Sequence, residues 1–546
     1  MSEPSVNVLD VGAQIPSGQP LKKAESIGRR GALRRAAALG LTGWGAFTQG
    51  AQAAPPKSVS ADVDPSSLLR KLVDRLTFGS TAAELAQANS LGYQGYLEYQ
   101  LNLTNAGEDP AVMAALNQPV GMGLFPWINA TNSALRTQFN LNSASVASSL
   151  YDSTIFRSIF SRLQLRERMV EFWSDHFSID INAEQCRWLK VIDDRSVIRA
   201  NAMGSFEALL NASARSAAML TYLDNDVSRV NFINENYGRE LLELHTISVN
   251  GGYTEADVIA VARCLTGWTW WNNNPPQPDD SGTFRYNNGN HDNNAKTLSP
   301  IFNLANPGQN LIIPAGGGQN DTQTVLNILV AHPNTANFIA TKLCRRFIGE
   351  DCPTAVINAV AAAYLSTTPK GDIKTMLRVI FNPNVLADAT PRLKRPTHLI
   401  ASALRRILPG TANVTAFSTL RSFYFACGQL PFNWSPPDGY PDTNQYWTGL
   451  VLPRWNFCAA AVTNGAASSG GINGVTFDTA TLNAFFPNET TRDQIVATLN
   501  TKLFSGAWPM AEQNAVRSFL PVGVMSTTNR RDAIGLALSA PSFQYV

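Results

Sequence analysis

Apolar residues recur along this chain mainly at three- and four-residue intervals, and strict alternation is rare, so the pattern predicts helices and little sheet. Thr81-Ala82-Ala83-Glu84 and Thr254-Glu255-Ala256-Asp257 each set a hydroxyl three residues before a carboxylate, ahead of an apolar-periodic stretch. In that spacing the two side chains cap each other's backbone N–H groups at a helix start. Helices are predicted at about 66–76, 81–101, 150–177, 190–221, 231–247, 254–267, 321–348, 354–366, 371–381, 394–408 and 492–503. The intervening stretches 271–295, 302–320, 431–447 and 464–474 are rich in Asn, Pro and Gly. The first of them, opening on Asn272-Asn273-Asn274-Pro275-Pro276, is longer than a plain connection needs and is expected to carry a small hairpin or a lid. The expected fold is mainly α: a multi-helical globular protein with long Asn/Pro/Gly-rich loops and at most a small β-hairpin element. Its expected organisation is an N-terminal helical region at 65–270 bearing acidic and His motifs, a long polar loop or lid at 271–320, and a C-terminal helical region at 321–546.

The start of the chain reads differently. Arg29-Arg30 is followed by Gly31-Ala32-Leu33-Arg34, a mildly apolar run from Ala36 to Phe47, and Ala51-Gln52-Ala53 ahead of Ala54-Pro55-Pro56. A basic region, a short apolar region and a small-x-small cleavage site are the pattern of an export signal. The arginine pair and the weak, glycine-containing apolar segment suit the twin-arginine kind. Residues 1–53 are therefore expected to be that signal and 54–64 a linker, with the mature chain periplasmic or secreted. No later run reaches the roughly 18 apolar residues that span a bilayer, so no transmembrane segment is expected in the mature chain.

Composition narrows the classes. With 43 basic against 41 acidic residues the chain lacks the basic excess of a nucleic-acid binder, and with 44% hydrophobic residues it is too apolar for a disordered protein. Cys186, Cys264, Cys344, Cys352, Cys427 and Cys458 form no compact metal-ligand spacing. In an oxidising compartment they allow disulfides, and otherwise they serve as small buried apolar side chains.

The densest chemistry lies in the segment Asn234 to His245. At helical pitch Ile233, Tyr237, Leu241 and Leu244 form one apolar stripe, and Asn236, Glu240 and Glu243 border it, so two carboxylates converge at a core edge. Arg239 lies beside them and one turn after Glu235. His245 joins them only if the helix ends near Leu244, and Gly251-Gly252 signals such an end. In a second segment, Leu165 to Phe177, Glu167, Glu171 and Asp175 form an acidic row, while His176 shares the inward face of Leu165, Met169 and Phe172. The expectation is one buried polar centre made of His176, Glu240 and Glu243, with Arg239 as balancing charge, since isolated buried charges are too costly to persist. It would be either a structural salt-bridge network or a catalytic or divalent-metal site. His291-Asp292 and Lys296, in the long polar loop, are placed where imidazole, carboxylate and amine reach a cleft. His332-Pro333 and Arg395-Pro396-Thr397-His398 read as helix boundaries.

These strings, with Gly251-Gly252-Tyr253-Thr254 and Ala262-Arg263-Cys264-Leu265-Thr266-Gly267-Trp268, resemble the bacterial domain-of-unknown-function family numbered 1800. The likeness extends to Arg75-Leu76-Thr77-Phe78-Gly79, Phe172-Trp173 to His176-Phe177, His291-Asp292 with Lys296-Thr297, and the late Pro436-Pro437 and Trp447, covering roughly residues 65–546. Two departures stand out: Ser174 where members usually have a second histidine, and Gly439-Tyr440-Pro441 in place of Gly-Trp-Pro. The first weakens any metal site that needs both imidazoles. No established activity comes with the resemblance, which implies an exported protein often encoded beside a sulfatase-like or alkaline-phosphatase-like one.

Phosphate loops, HExxH, GxSxG and dinucleotide-binding turns are absent from the sequence. Two readings remain. In the first, the chain is an extracytoplasmic hydrolase whose Glu240, Glu243 and His176, with His245, His291 or Asp292, work as acid and base or hold a divalent metal. Its Trp and Tyr near Pro-rich loops would suit a carbohydrate, but Glu240 and Glu243 share one helix, so a glycosidic bond would need a second carboxylate from elsewhere. In the second, it is a non-catalytic helical scaffold or binding partner of another exported protein such as a sulfatase-like one, using Trp268, Trp270, Trp271, Trp434 and Trp447 as contact surface.

Overall fold

The structure, a computed structural model, describes residues 65–272, 274–465 and 467–546. The expected export signal and linker lie outside the described residues. The fold is mainly α, as the periodicity predicts. Helices α1 (Pro65–Leu76), α2 (Ala82–Asn102), α3 (Asn132–Phe160), α4 (Gln164–His176), α5 (Cys186–Asp193) and α6 (Phe206–Ala214) lead into the motif helices α7 (Asn236–Glu243) and α8 (Glu255–Leu265). After the polar loops come α9 (Gln319–Ala331), α10 (Pro333–Phe347), α11 (Thr354–Ser366), α12 (Ile373–Ile380), α13 (Pro396–Ile407), α14 (Val451–Ala461), α15 (Arg492–Phe504) and α16 (Thr527–Ser539), with further helices and turns between, among them Ser418–Ala426 and Met510–Phe519.

Both expected capping boxes form. The Thr81 hydroxyl accepts from the Glu84 N–H at 3.2 Å while Glu84 accepts from the Thr81 N–H at 2.9 Å. Thr254 and Asp257 do the same at α8. Three long predicted helices are broken, each for a local reason. The 150–177 stretch divides where the Ser161 hydroxyl accepts from the Leu163 N–H, a side-chain turn that competes with the helix. The 321–348 stretch divides at His332-Pro333, where proline lacks the N–H a continuing helix needs and His332 Nδ1 caps the Asn334 N–H at 3.1 Å. The 190–221 stretch becomes α5, a π-turn over Asp194–Ile198, α6 and a further turn at Ala217–Tyr222.

Strand is confined to two hairpin-like pairs. Trp268–Trp270 (β1) pairs antiparallel with Phe284–Tyr286 (β2), Trp268 opposite Tyr286. Lys296–Leu298 (β3) pairs with Leu311–Ile313 (β4), Lys296 opposite Ile313. The apolar interior forms two main clusters. One gathers α1, α2, α4 to α12 and the first half of α3; the other holds Phe78, Ile155, Phe156 and Ile159 from the end of α3 with α13 to α16. Helix α3 thus runs through both.

Candidate functional site

Helix α7 is short and closely packed. Gly238 lets it cross α8, since a Cβ there would stand 3.0 Å from the Ala262 nitrogen and 3.1 Å from the Val258 carbonyl oxygen. Tyr237, Leu241 and Leu242 are buried, whereas Ile233 precedes the helix and Leu244 is half-buried at its end. The Asn236 N–H is capped by Asn234 at 2.9 Å. The helix stops short of the predicted 231–247 span: the His245 N–H closes on the Glu240 carbonyl at 3.0 Å, which turns the His245 ring inward to 1% exposure.

The acidic border behaves differently from the expectation. Glu240, Glu243 and Arg239 are half-buried rather than buried. Arg239 donates to Glu255 at 3.0 Å and lies 3.7 Å from Glu243 and 3.6 Å from Glu235, a solvent-reachable ion cluster. Glu240 stays outside it, with no hydrogen bond to its carboxyl among the described residues. Partial burial holds that carboxyl above its usual range, the neighbouring Glu243 adds to this, Arg239 opposes it, and the charge of Asp438 in the Pro-rich loop raises it further.

His176 lies where its helix face predicts, 1% exposed among Phe172, Trp173, Phe177 and Phe206. Its Nε2–H donates to the His245 carbonyl at 3.1 Å, and its Nδ1 accepts from the Lys342 Nζ of α10 at 3.1 Å. Both nitrogens are therefore engaged, and neither meets a carboxylate. The expected single centre of His176 with Glu240 and Glu243 does not form. The aromatic interior admits only a neutral ring, while the glutamates keep the half-exposed border where water and Arg239 solvate them. Burial and the nearby Lys342 push the His176 pKa well down, and burial brings the partly exposed Lys342 down to about 8 against the pull of Asp442 and Asp175. The His245 ring sits 5.2 Å from Phe177 and 6.1 Å from His176, with no partner for either nitrogen among the described residues. Burial holds its pKa at about 3. Among the described residues no group of three or more His, Cys, Asp or Glu side chains is arranged to hold a metal ion, the candidates Glu240, Glu243 and His176 included.

His291, Asp292 and Lys296 are buried, at 3%, 4% and 0% exposure. His291 Nε2 lies 3.2 Å from an Asp321 oxygen that Lys296 also contacts, and Asp292 accepts from Arg263 at 2.6 Å. Each group is matched by charge or hydrogen bond, which fixes the polar loop onto α8 and α9. The partner Asp321 was invisible to a reading that ended at the loop.

The residues that sequence reasoning missed surround the C-terminus of α4. Two members of its acidic row, Glu171 and Asp175, meet Arg346 of α10 at 3.3 and 2.9 Å, and Arg346 also binds Asp442 at 2.8 Å. Arg395, the residue before α13, reaches Asp175 at 2.8 Å and Asp442 at 3.2 Å. Both arginines are almost fully buried. The loop 431–442 closes over this network through Gly439, whose φ is +75° and whose absent Cβ would fall 2.0 Å from the Asp175 carbonyl oxygen. Tyr440 anchors the loop by donating to the Leu430 carbonyl at 2.7 Å. Ser174 lines a small cavity of about 30 Å³ beside the network, and its hydroxyl lacks a partner. Asp438, exposed at the loop tip, accepts from Trp434 Nε1 at 2.7 Å. Its charge acts on both Glu240 and Lys342, so the site's edge is built from α7, α10 and this loop. A larger cleft of about 640 Å³ lies elsewhere, between α1 and the C-terminus, and none of the sequence-predicted residues lines it.

No curated protein and no solved structure matches the chain. The segments that build the site, from α4 through the 431–442 loop, fall within a single match over residues 71–545, and the chain belongs to the family described as protein of unknown function (DUF1800).

Proposed function

We propose that this protein is an exported hydrolase in which Glu240 and Asp438 act as a carboxylic acid and carboxylate pair on a carbohydrate substrate. The observation that carries the reading is the state of Glu240: half-buried, without a hydrogen bond among the described residues, and held above the usual carboxyl range by burial, by Glu243 and by the charge of Asp438 from a separate element. A carboxyl held protonated by its surroundings supplies a proton donor, and a second, exposed carboxylate supplies the base. Asp438 is the second carboxylate that Glu243, on the same helix as Glu240, cannot be. Trp434 orients it, and Tyr446, 5.9 Å from Trp434 and exposed, extends an aromatic surface of the kind that sugar rings stack on.

The test is hydrolysis of a panel of aryl glycosides and polysaccharides by the purified chain. Glu240→Gln and Asp438→Asn are each expected to lower kcat by about 100-fold or more with an unchanged melting temperature. Wild-type turnover that survives either change overturns the assignment. A second reading, a non-catalytic partner of another exported protein such as a sulfatase-like one, is favoured by the same exposed aromatic loop; it predicts no turnover on any substrate.

A further inference from the structure

Cys344 and Cys352 are brought together by the way α10 ends. The N–H groups of Ile348 and Gly349 both bond to the Cys344 carbonyl, at 2.8 and 3.1 Å, and the Cys352 N–H bonds to the Gly349 carbonyl at 3.4 Å. This folds the segment back over the last turn of the helix. Gly349 permits the reversal with φ +151°, a conformation that side-chain-bearing residues rarely adopt. The reversal brings the Cys344 and Cys352 thiols within hydrogen-bonding reach of each other, and the Cys352 sulfur also faces the Pro353 carbonyl at 4.0 Å. Cys344 is 0% exposed, whereas Cys352 is half-buried and reachable from solvent. The other four cysteines are buried; Cys186 and Cys458, for instance, donate to the carbonyls of Ala218 and Leu538. All six are free thiols.

We propose that Cys344 and Cys352 form a redox pair that closes to a disulfide on meeting a small disulfide oxidant such as oxidised glutathione. The inference does not depend on the hydrolase reading. The Cys352 thiolate attacks one sulfur of the oxidant, forming a mixed disulfide and expelling one glutathione thiolate, which takes up the proton leaving Cys344. The Cys344 sulfur then attacks the Cys352 sulfur and expels the second glutathione. Two cysteines are oxidised by two electrons in total and the oxidant is reduced to two thiols. Cys352 alone is reachable from solvent, which sets the order of entry; the bond between the thiols and burial disfavour the thiolate at Cys344, and the same bond favours it at Cys352. Closure clamps the end of α10, two residues from both Lys342 and Arg346.

The full chain, purified under reductant and freed of it, is titrated with oxidised glutathione. Thiol counts after denaturation are expected to fall from six to four, with loss of the mass of two hydrogens and a higher melting temperature. Trypsin cuts after Arg345 and Arg346, between the two cysteines, so the digest is expected to hold peptide 343–345 linked to the peptide that begins at Phe347. Cys344→Ser is expected to stop at a glutathione adduct on Cys352, and Cys352→Ser to keep all its thiols. Retention of six thiols, a lasting adduct on Cys352 of the unaltered chain, or a bond to any other cysteine overturns the proposal.

Discussion

His245 is enclosed by Phe177, Tyr237 and His176, and neither ring nitrogen has a partner among the described residues. An unpaired buried polar group costs about 1–3 kcal/mol. His245→Phe is therefore expected to leave the melting temperature unchanged or raise it. His176→Phe is expected to cost about 1–3 kcal/mol, because it strips an acceptor from Lys342 and a donor from the His245 carbonyl. The pH dependence has a definite sign. The folded ring has its pKa brought by burial from 6.5 to about 3, so as the pH falls through that interval the unfolded chain binds a proton the folded chain refuses. Stability is lost on acidification from 6.5 toward 3 and is unaffected above it, and equilibrium unfolding of His245→Phe should show a shallower acid limb. Asp292 contributes in the same direction at lower pH. Burial raises its carboxyl, but the Arg263 and Asn294 bonds outweigh that and hold it at about 2, so its contribution disappears as the pH falls from 3.8 through 2.

Between elements, the arginines are the decisive joints. Arg346 ties α4 to α10 and to the 431–442 loop by contacting Glu171, Asp175 and Asp442 together. A planar guanidinium meets three carboxylates at once, which a lysine ammonium on a flexible stem does not. Arg346→Ala leaves those acids short of a cation in a mostly buried setting, and a cost of about 3–5 kcal/mol is expected in denaturant unfolding. Arg346→Lys is expected to recover only part of it. The acid row of α4 was legible as a row, but its purpose was not. Asp175 finds Arg346 171 residues away in the chain, and no local spacing announces such a partner. The same holds for Asp438: nothing in the α7 motif points to a carboxylate carried by a distant Pro-rich loop.

On the scale of the whole molecule, α3 belongs to both main apolar clusters, so neither can lose its packing without the other feeling it. The export route proposed from Arg29-Arg30 in sequence moves folded proteins. Changing both arginines to lysine is expected to leave full-length precursor in the cytoplasm in a fractionation experiment; normal export of that variant would remove the twin-arginine assignment. Among the described residues no helix is long and apolar enough to cross a membrane. The sequence alone determined the helical class, both capping boxes and the inward face of His176. Each is set by interactions within about one helical turn, where side-chain periodicity and backbone capping act directly. Tertiary structure alone decided which buried groups pair. It withdrew His176 from the glutamates, set Lys342 on its ring, and matched His291 and Lys296 to Asp321. The reason is that burial penalises every ionised group alike, whereas the partner that relieves the penalty is chosen by packing between segments far apart in the chain.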